Sequence, residues 1–238
     1  MYQNIKEEYF DLVLCNGDFA DMREIGKLFR KYGPGVEKII GAGKNEEMRI
    51  EAVEKAHVPL RKLNSLGKKV YITRGNNEYT SKFSIFLNIL KEYKNIKLID
   101  LKKIKINGKN VVGFPVFSST EIEYEVNNNY KKFIDKFKKI DTKNSILLTH
   151  IPPYDCEFDK ITDKNNFNAG KHVGYKSIEK LIKKFKFPIV VCGHLEEYQG
   201  ECEKFSSRII NPGAAELEKY AILEIKDNLI KAKVRFYQ

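Results

Sequence analysis

No stretch of this chain approaches the roughly 18 consecutive apolar residues that a membrane-crossing helix requires, and no apolar segment with a basic lead opens it. Export and membrane insertion are therefore not indicated, and the cytoplasm is the expected address. Cysteine is scarce: Cys15, Cys156, Cys192 and Cys202 form no Cys-x-x-Cys pair and no framework spacing. Cys15 and Cys192 sit inside apolar, strand-like runs, so buried free thiols in a reducing compartment are expected. There is also no Gly/Ser or Pro linker, no internal repeat and no low-complexity tail, so residues 1–238 read as one domain. With 42% hydrophobic and 32% charged side chains, 238 residues suffice for a sizeable core, which argues against disorder.

The formal net charge is +11, a balance that favours anionic partners. The lysines are nevertheless spread along the chain rather than gathered in blocks, which reads as compositional bias. The most basic amphipathic stretch, residues 176–186, carries Ile178, Leu181, Ile182 and Phe185 at helical spacing and reads as a surface helix with a solvated lysine face. Nucleic acid, which charge alone would suggest, is not the expected partner.

Short β-branched runs at 11–15, 69–73, 96–101, 145–149, 188–192 and 208–211 are dense enough to be buried strands. Residues 46–67, 81–93 and 123–140 carry helical periodicity between them. The alternation predicts an α/β fold. Two hairpin signals, at 104–114 with Asn107-Gly108 in the turn and at 221–236 turning at Asp227-Asn228, make a mixed sheet system the expectation.

Polar residues gather just after the strands. Asn-Gly-Asp ends the first run, Arg-Gly-Asn-Asn-Glu the second, Thr-His the run at 145 and Cys-Gly-His the run at 188. Gly-Asp and Gly-Asn are ordinary turn chemistry, and a lone histidine after a strand is more often a packed one. The strand ends of an open α/β sheet form its ligand crevice, however, and Asp18, Asn76, His150 and His194 would meet there. One carboxylate, one carboxamide oxygen and two imidazoles suit a divalent ion such as Mn, Fe or Zn.

The order Gly-Asp, Gly-Asn-x-Asp/Glu, His, Gly-His resembles the calcineurin-like metallophosphoesterase superfamily over nearly the entire chain. The segment from Thr149 through Lys171-His172-Val173-Gly174-Tyr175 to Gly193-His194 is similar to the small archaeal and bacterial phosphoesterases of that group. The resemblance implies two mixed β-sheets sandwiched between helices, and two metal ions roughly 3.5–4 Å apart at which a phosphoester is hydrolysed. It implies that Asp18 bridges the ions and that Asn76, His150 and His194 complete the second ion's shell. It further implies a phosphorylated small molecule or nucleotide, most simply a phosphodiester, as substrate.

The chain departs from that pattern around the first ion. The family's N-terminal strand ending in Asp-x-His has no counterpart in the ten residues before Asp11. Glu196 stands where Gly-His-x-His has its last histidine, and Asn77 replaces the histidine that serves as acid or phosphoryl stabiliser. Asn cannot protonate a leaving group, and losing a general acid typically costs on the order of 100- to 10,000-fold. Two readings stay open: a hydrolase of weakened activity holding one or two ions, with Glu196, Asp21 or Glu78 as substitute oxygen ligands, or a catalytically degenerate protein that binds metal or phosphate as a sensor or scaffold. His172 is a candidate for substrate contact or, equally, for capping the helix that follows. Arg74 and Lys171 lie beside the motifs as candidate phosphate contacts, His57 reads as structural or surface, and residues 154–170 form a long polar loop of the kind that covers sites, its acids equally readable as solvated.

Overall fold

The computed structural model describes residues 8–78, 83–116, 122–164, 166 and 168–238. Two β-sheets lie face to face between two layers of helices. The smaller sheet contains β1 (Leu12–Cys15), β2 (Lys69–Ile72) and β3 (Ile96–Leu98), all parallel, in that order. The larger has the order β4-β5-β6-β7-β9-β8, from β4 (Lys103–Ile106), β5 (Lys109–Phe114), β6 (Ser145–Thr149), β7 (Ile189–Val191), β8 (Gly200–Lys204) and β9 (Ser207–Asn211). Its four central strands are parallel and its two edges antiparallel, so this sheet is mixed, as expected. A hairpin of β10 (Tyr220–Glu224) and β11 (Lys233–Tyr237) closes the chain.

The period-two alternation of strands sorts side chains between layers. On β6, every residue is buried; Leu147 faces one helical layer, while Ile146 and Leu148 face the interior between the sheets. On β2, Val70 and Ile72 pack on the other helical layer and Tyr71 points inward to join Leu14. The hairpin contributes Leu223, Val234 and Phe236 to that same inter-sheet core. A strand covered on both faces needs no polar alternation, which is why β6 and β7 read as continuous apolar runs.

The helices are α1 (Arg23–Tyr32), α2 (Val36–Ile40), α3 (Ala42–Glu54), α4 (His57–Asn64), α5 (Phe83–Leu90), α6 (Ile122–Phe137) and α7 (Lys176–Phe185). Ile178, Leu181, Ile182 and Phe185 of α7 are all buried, and the lysine face is outside. The stretch 46–67, expected as one helix, is two. Pro59 is the reason: inside a continuous helix its ring would strike the carbonyl of Lys55, whereas as the third residue of α4 it loses only an N–H without an intrahelical partner. Neither α1 nor α2 was expected, because Gly26 and dense charge dilute the pattern around Ile25 and Leu28. The expected helix 81–93 is described from Phe83; residues 81 and 82 lie outside the described residues.

Asn107 and Gly108 both have positive φ, 46° and 80°, as a two-residue hairpin of type I′ requires. The second hairpin is wider than a turn at Asp227-Asn228. Its strands stop at Glu224 and resume at Lys233, because Leu229 and Ala232 of the connection are buried in the inter-sheet core. The loop 154–170 is also less polar in place than in sequence, with Cys156, Phe158 and Ile161 buried. No helix among the described residues is long and apolar enough to cross a membrane.

All four cysteines are free; Cys156, Cys192 and Cys202 are buried and Cys15 is half-buried. Burial pushes the thiols of Cys15 and Cys156 up to about 12 and raises those of Cys192 and Cys202. Thiolate, the reactive form, is thereby suppressed at neutral pH. The native protein at pH 8 is expected to resist an aromatic disulfide reagent and to release four thiols in denaturant. Rapid native labelling at any cysteine would contradict this packing.

Candidate metal centre

The C-terminal ends of β1, β2, β6 and β7 deliver the polar residues to one place. The turns after β1 and β2 touch back to back, which only glycine allows. Gly17 has φ of 101°, and a Cβ on it would lie 2.2 Å from the Gly75 nitrogen; a Cβ on Gly75 would lie 2.1 Å from Asp18 Oδ1.

Asp18, His150 and His194 each present a ligand atom within 4.8 Å of the others. His150 is buried and sits at the centre. Its Nε2 is 2.9 Å from Asn76 Oδ1, 3.1 Å from Asp18 Oδ2 and 3.3 Å from His194 Nδ1. Its Nδ1 is 2.7 Å from the backbone carbonyl of Asn16, which accepts only a hydrogen and so fixes Nδ1 as the N–H. Nε2 then faces two oxygens: protonated it donates to them, and deprotonated it offers a lone pair beside them.

Asn77 organises its neighbours. Its backbone N–H donates to Asp18 Oδ1 at 3.0 Å, and its side-chain oxygen accepts from Asn76 Nδ2 at 3.0 Å, turning the Asn76 oxygen toward His150. Both Asp18 and His194 hold left-handed backbone, with φ of 60° and 74°, a conformation that costs of order 1–3 kcal/mol outside glycine and clusters at functional sites.

Electrostatics sort the charges. Burial opposes the charged forms of Asp18 and His150, but each stabilises the other strongly enough that the Asp18 carboxyl is held below its ordinary range and the His150 imidazole above it. Burial and the His150 charge push His194 down to about 4, so this ring is neutral at physiological pH with a lone pair available.

Glu78 is fully buried and lies outside that group. Its carboxylate accepts the N–H groups of Asp18 (2.9 Å), Phe19, Ala20 (2.9 Å) and Gly75 (2.7 Å), so it clamps the β1 turn to the β2 turn. Burial first, and Asp18 second, raise its pKa. Asp21 is also engaged elsewhere, with both its oxygens on Arg23. Neither joins the group of Asp18, His150 and His194, and the hydrogen bonds of each tie it to other work. Arg74 likewise does not point freely at a phosphate; its Nε lies 2.7 Å from Asp100 Oδ2, and its guanidinium stacks over Phe83.

Glu196 is exposed and stands outside the 4.8 Å cluster, its pKa raised by partial burial and then by Glu216 and Asp18. His172 does not cap α7, whose N-cap is Tyr175; its Nδ1 is 2.7 Å from Asp159 Oδ1. Lys171 donates to Asn168, and His57 pairs with the Tyr93 hydroxyl at 2.8 Å. The Asn16 carbonyl escaped the sequence reading because a backbone acceptor carries no residue signature. The Glu78 clamp escaped because three of its four partners lie about sixty residues away.

Glu78→Gln tests the clamp. A carboxamide keeps one acceptor oxygen and turns an NH₂ toward backbone donors, leaving buried N–H groups unpaired at about 1–3 kcal/mol each. The expected loss is about 2–4 kcal/mol in urea unfolding, with weakened metal uptake. An unchanged urea midpoint would show that the clamp is dispensable.

A family model for calcineurin-like phosphoesterase matches residues 1–198. An uncharacterized protein of Methanocaldococcus jannaschii is 30% identical over 149 residues, which span 60% of this chain and 64% of that relative, just under two thirds of its length. One crystal structure superposes over 100% of this chain and 91% of its own at TM-score 0.71 with 21% identity. A protein of Thermus thermophilus superposes over 94% and 97% at TM-score 0.50 with 13% identity. These superpositions speak to the fold, whereas the family match extends through all four strand ends of the centre: the chain belongs to the calcineurin-like phosphoesterases.

Proposed function

We propose that this chain is a metal-dependent phosphoester hydrolase, acting on a phosphodiester of a small molecule or nucleotide, with Asp18, Asn76, His150 and His194 as ligands of a divalent ion. The observation that supports this most is the convergence on His150 Nε2. With Nδ1–H given to the Asn16 carbonyl, that nitrogen faces Asp18 Oδ2 and Asn76 Oδ1 across 3.1 and 2.9 Å. In the metal-free protein the proton on His150 Nε2 satisfies both oxygens; a divalent ion would take that proton's place, and two imidazoles with two oxygens fit Zn, Mn or Fe.

When bound, such an ion supplies Lewis acidity to a phosphoryl oxygen and lowers the pKa of water. The chain's own groups do the rest. The Asn16 carbonyl fixes the His150 tautomer, the Asn77 N–H holds Asp18, and the Asn77 carboxamide orients Asn76. Asn77 Nδ2, with no partner among the described residues, can donate a hydrogen bond to a phosphoryl oxygen, though not a proton to a leaving group. That absence, with Glu196 outside the cluster, favours a second reading: a protein that binds metal and phosphate without turnover.

The two separate in one experiment. Chelator-stripped protein is titrated with Mn or Zn by calorimetry, and turnover of bis-p-nitrophenyl phosphate is followed. Binding with turnover is expected, and Asp18→Ala or His150→Ala should weaken both by on the order of 100-fold or more. Binding without turnover above buffer supports the second reading; failure to bind either ion overturns both.

A further inference from the structure

A hydrolase in which Asn77 cannot act as an acid needs a proton donor elsewhere for any leaving oxygen more basic than a nitrophenolate. One imidazole outside the metal cluster has the required surroundings. His172 Nδ1 lies 2.7 Å from Oδ1 of Asp159, a carboxylate with 0% exposure. The other oxygen of Asp159 accepts the Asp155 N–H at 2.8 Å, and its backbone carbonyl accepts the Val173 N–H at 2.7 Å. Gly174 permits this approach, since a Cβ there would come 2.7 Å from Asp159 Cβ. The His172 ring packs against Tyr154, is 40% exposed, and has no partner for Nε2 among the described residues. A buried carboxylate that holds Nδ1–H sets the tautomer and orients the ring.

The loop that carries this pair is anchored beside both histidine-bearing strand ends. It leaves β6 directly after His150, and Pro153 pairs in parallel with Tyr175. His150 and His172 each precede that pairing by three residues in sequence. On its other side the loop is fastened to the segment after His194: the Thr162 N–H donates to Glu197 Oε1 at 3.2 Å, and the Tyr198 hydroxyl to the Lys160 carbonyl at 2.6 Å. Phe158 stacks edge-on against Tyr198.

We infer that His172 is the general acid of the reaction and Asp159 its positioning residue, which gives the hydrolase proposed above access to esters of ordinary alcohols; the inference rests on that reading. In the step, a water oxygen forms a new bond to phosphorus and the bond from phosphorus to the leaving alcohol breaks. The Nε2 proton of the His172 imidazolium passes to the departing oxygen. The attacking water releases a proton to solvent, and His172 regains one from solvent, so the cycle closes on water alone.

The test compares two diesters on the metal-loaded full chain: bis-p-nitrophenyl phosphate, whose leaving group needs no proton, and a dinucleoside phosphate, whose leaving group is an alcohol. His172→Gln keeps an N–H donor for Asp159 but has no proton to release, and thermal melting checks its fold. It is expected to lower the ratio of kcat on the dinucleoside phosphate to kcat on the aryl diester by about 100-fold. Asp159→Asn should lower the ratio in the same direction by less. An unchanged ratio overturns the assignment, as does a wild type that cleaves only the aryl diester. A wild type that cleaves neither substrate fails the hydrolase reading itself. A readout independent of turnover is the imidazole proton spectrum, where only four histidines contribute. Inorganic phosphate should shift the His172 Cε1–H signal, and a stationary signal counts against the assignment.

Discussion

The candidate centre depends on one carboxylate that stands behind it. Four backbone N–H groups from two turns converge on Glu78, and without that acceptor the turns after β1 and β2 would each leave buried donors unpaired. Once the turns are fastened, the rest follows by contact. Gly17 and Gly75 meet, Asp18 comes under the Asn77 N–H, and the Asn76 carboxamide is set against His150. The second sheet then needs only to bring β6 and β7 alongside, which its parallel register does by ending both strands at one edge. The site is thus assembled by backbone geometry, with a buried charge as its fastening.

Much of this was legible in the sequence for a physical reason. Parallel strands buried on both faces must be apolar throughout, so polar residues are displaced to their ends, and the ends are where ligands gather. Asp18, Asn76, His150 and His194 could be placed together from that rule, and the structure brings them together. Pairings across long sequence separations were not legible. Glu78 reads as one more acid in a turn until the β1 turn is laid against it, and Asp159 is indistinguishable in sequence from other acids of its loop until it is found buried beneath His172. Arg74 looked like a phosphate contact because Asp100 lies on another strand end. Periodicity also misjudged 46–67, where a single proline outranks twenty residues of compatible pattern.

Family membership and chemistry come apart at Asn77. The residue retains a structural task, holding Asp18 through its backbone and Asn76 through its side chain, while lacking an acid's proton. A loop that extends from one histidine-bearing strand to another offers a different place for that proton, and it does so with a buried Asp–His pair rather than a strand-end residue. On the proposal made for His172, the acid would sit apart from the strand ends that carry the ligand set, because a leaving group can be approached from more than one side.

The left-handed backbone of Asp18 and His194 carries a consequence for how this protein can change. At either position glycine would relieve the strain, so a search for greater stability alone would arrive there early and would erase a side chain of the centre with each step. Stability and site oppose each other at these two residues, and selection for robustness that ignores the centre would drift toward an intact sandwich with nothing at its edge.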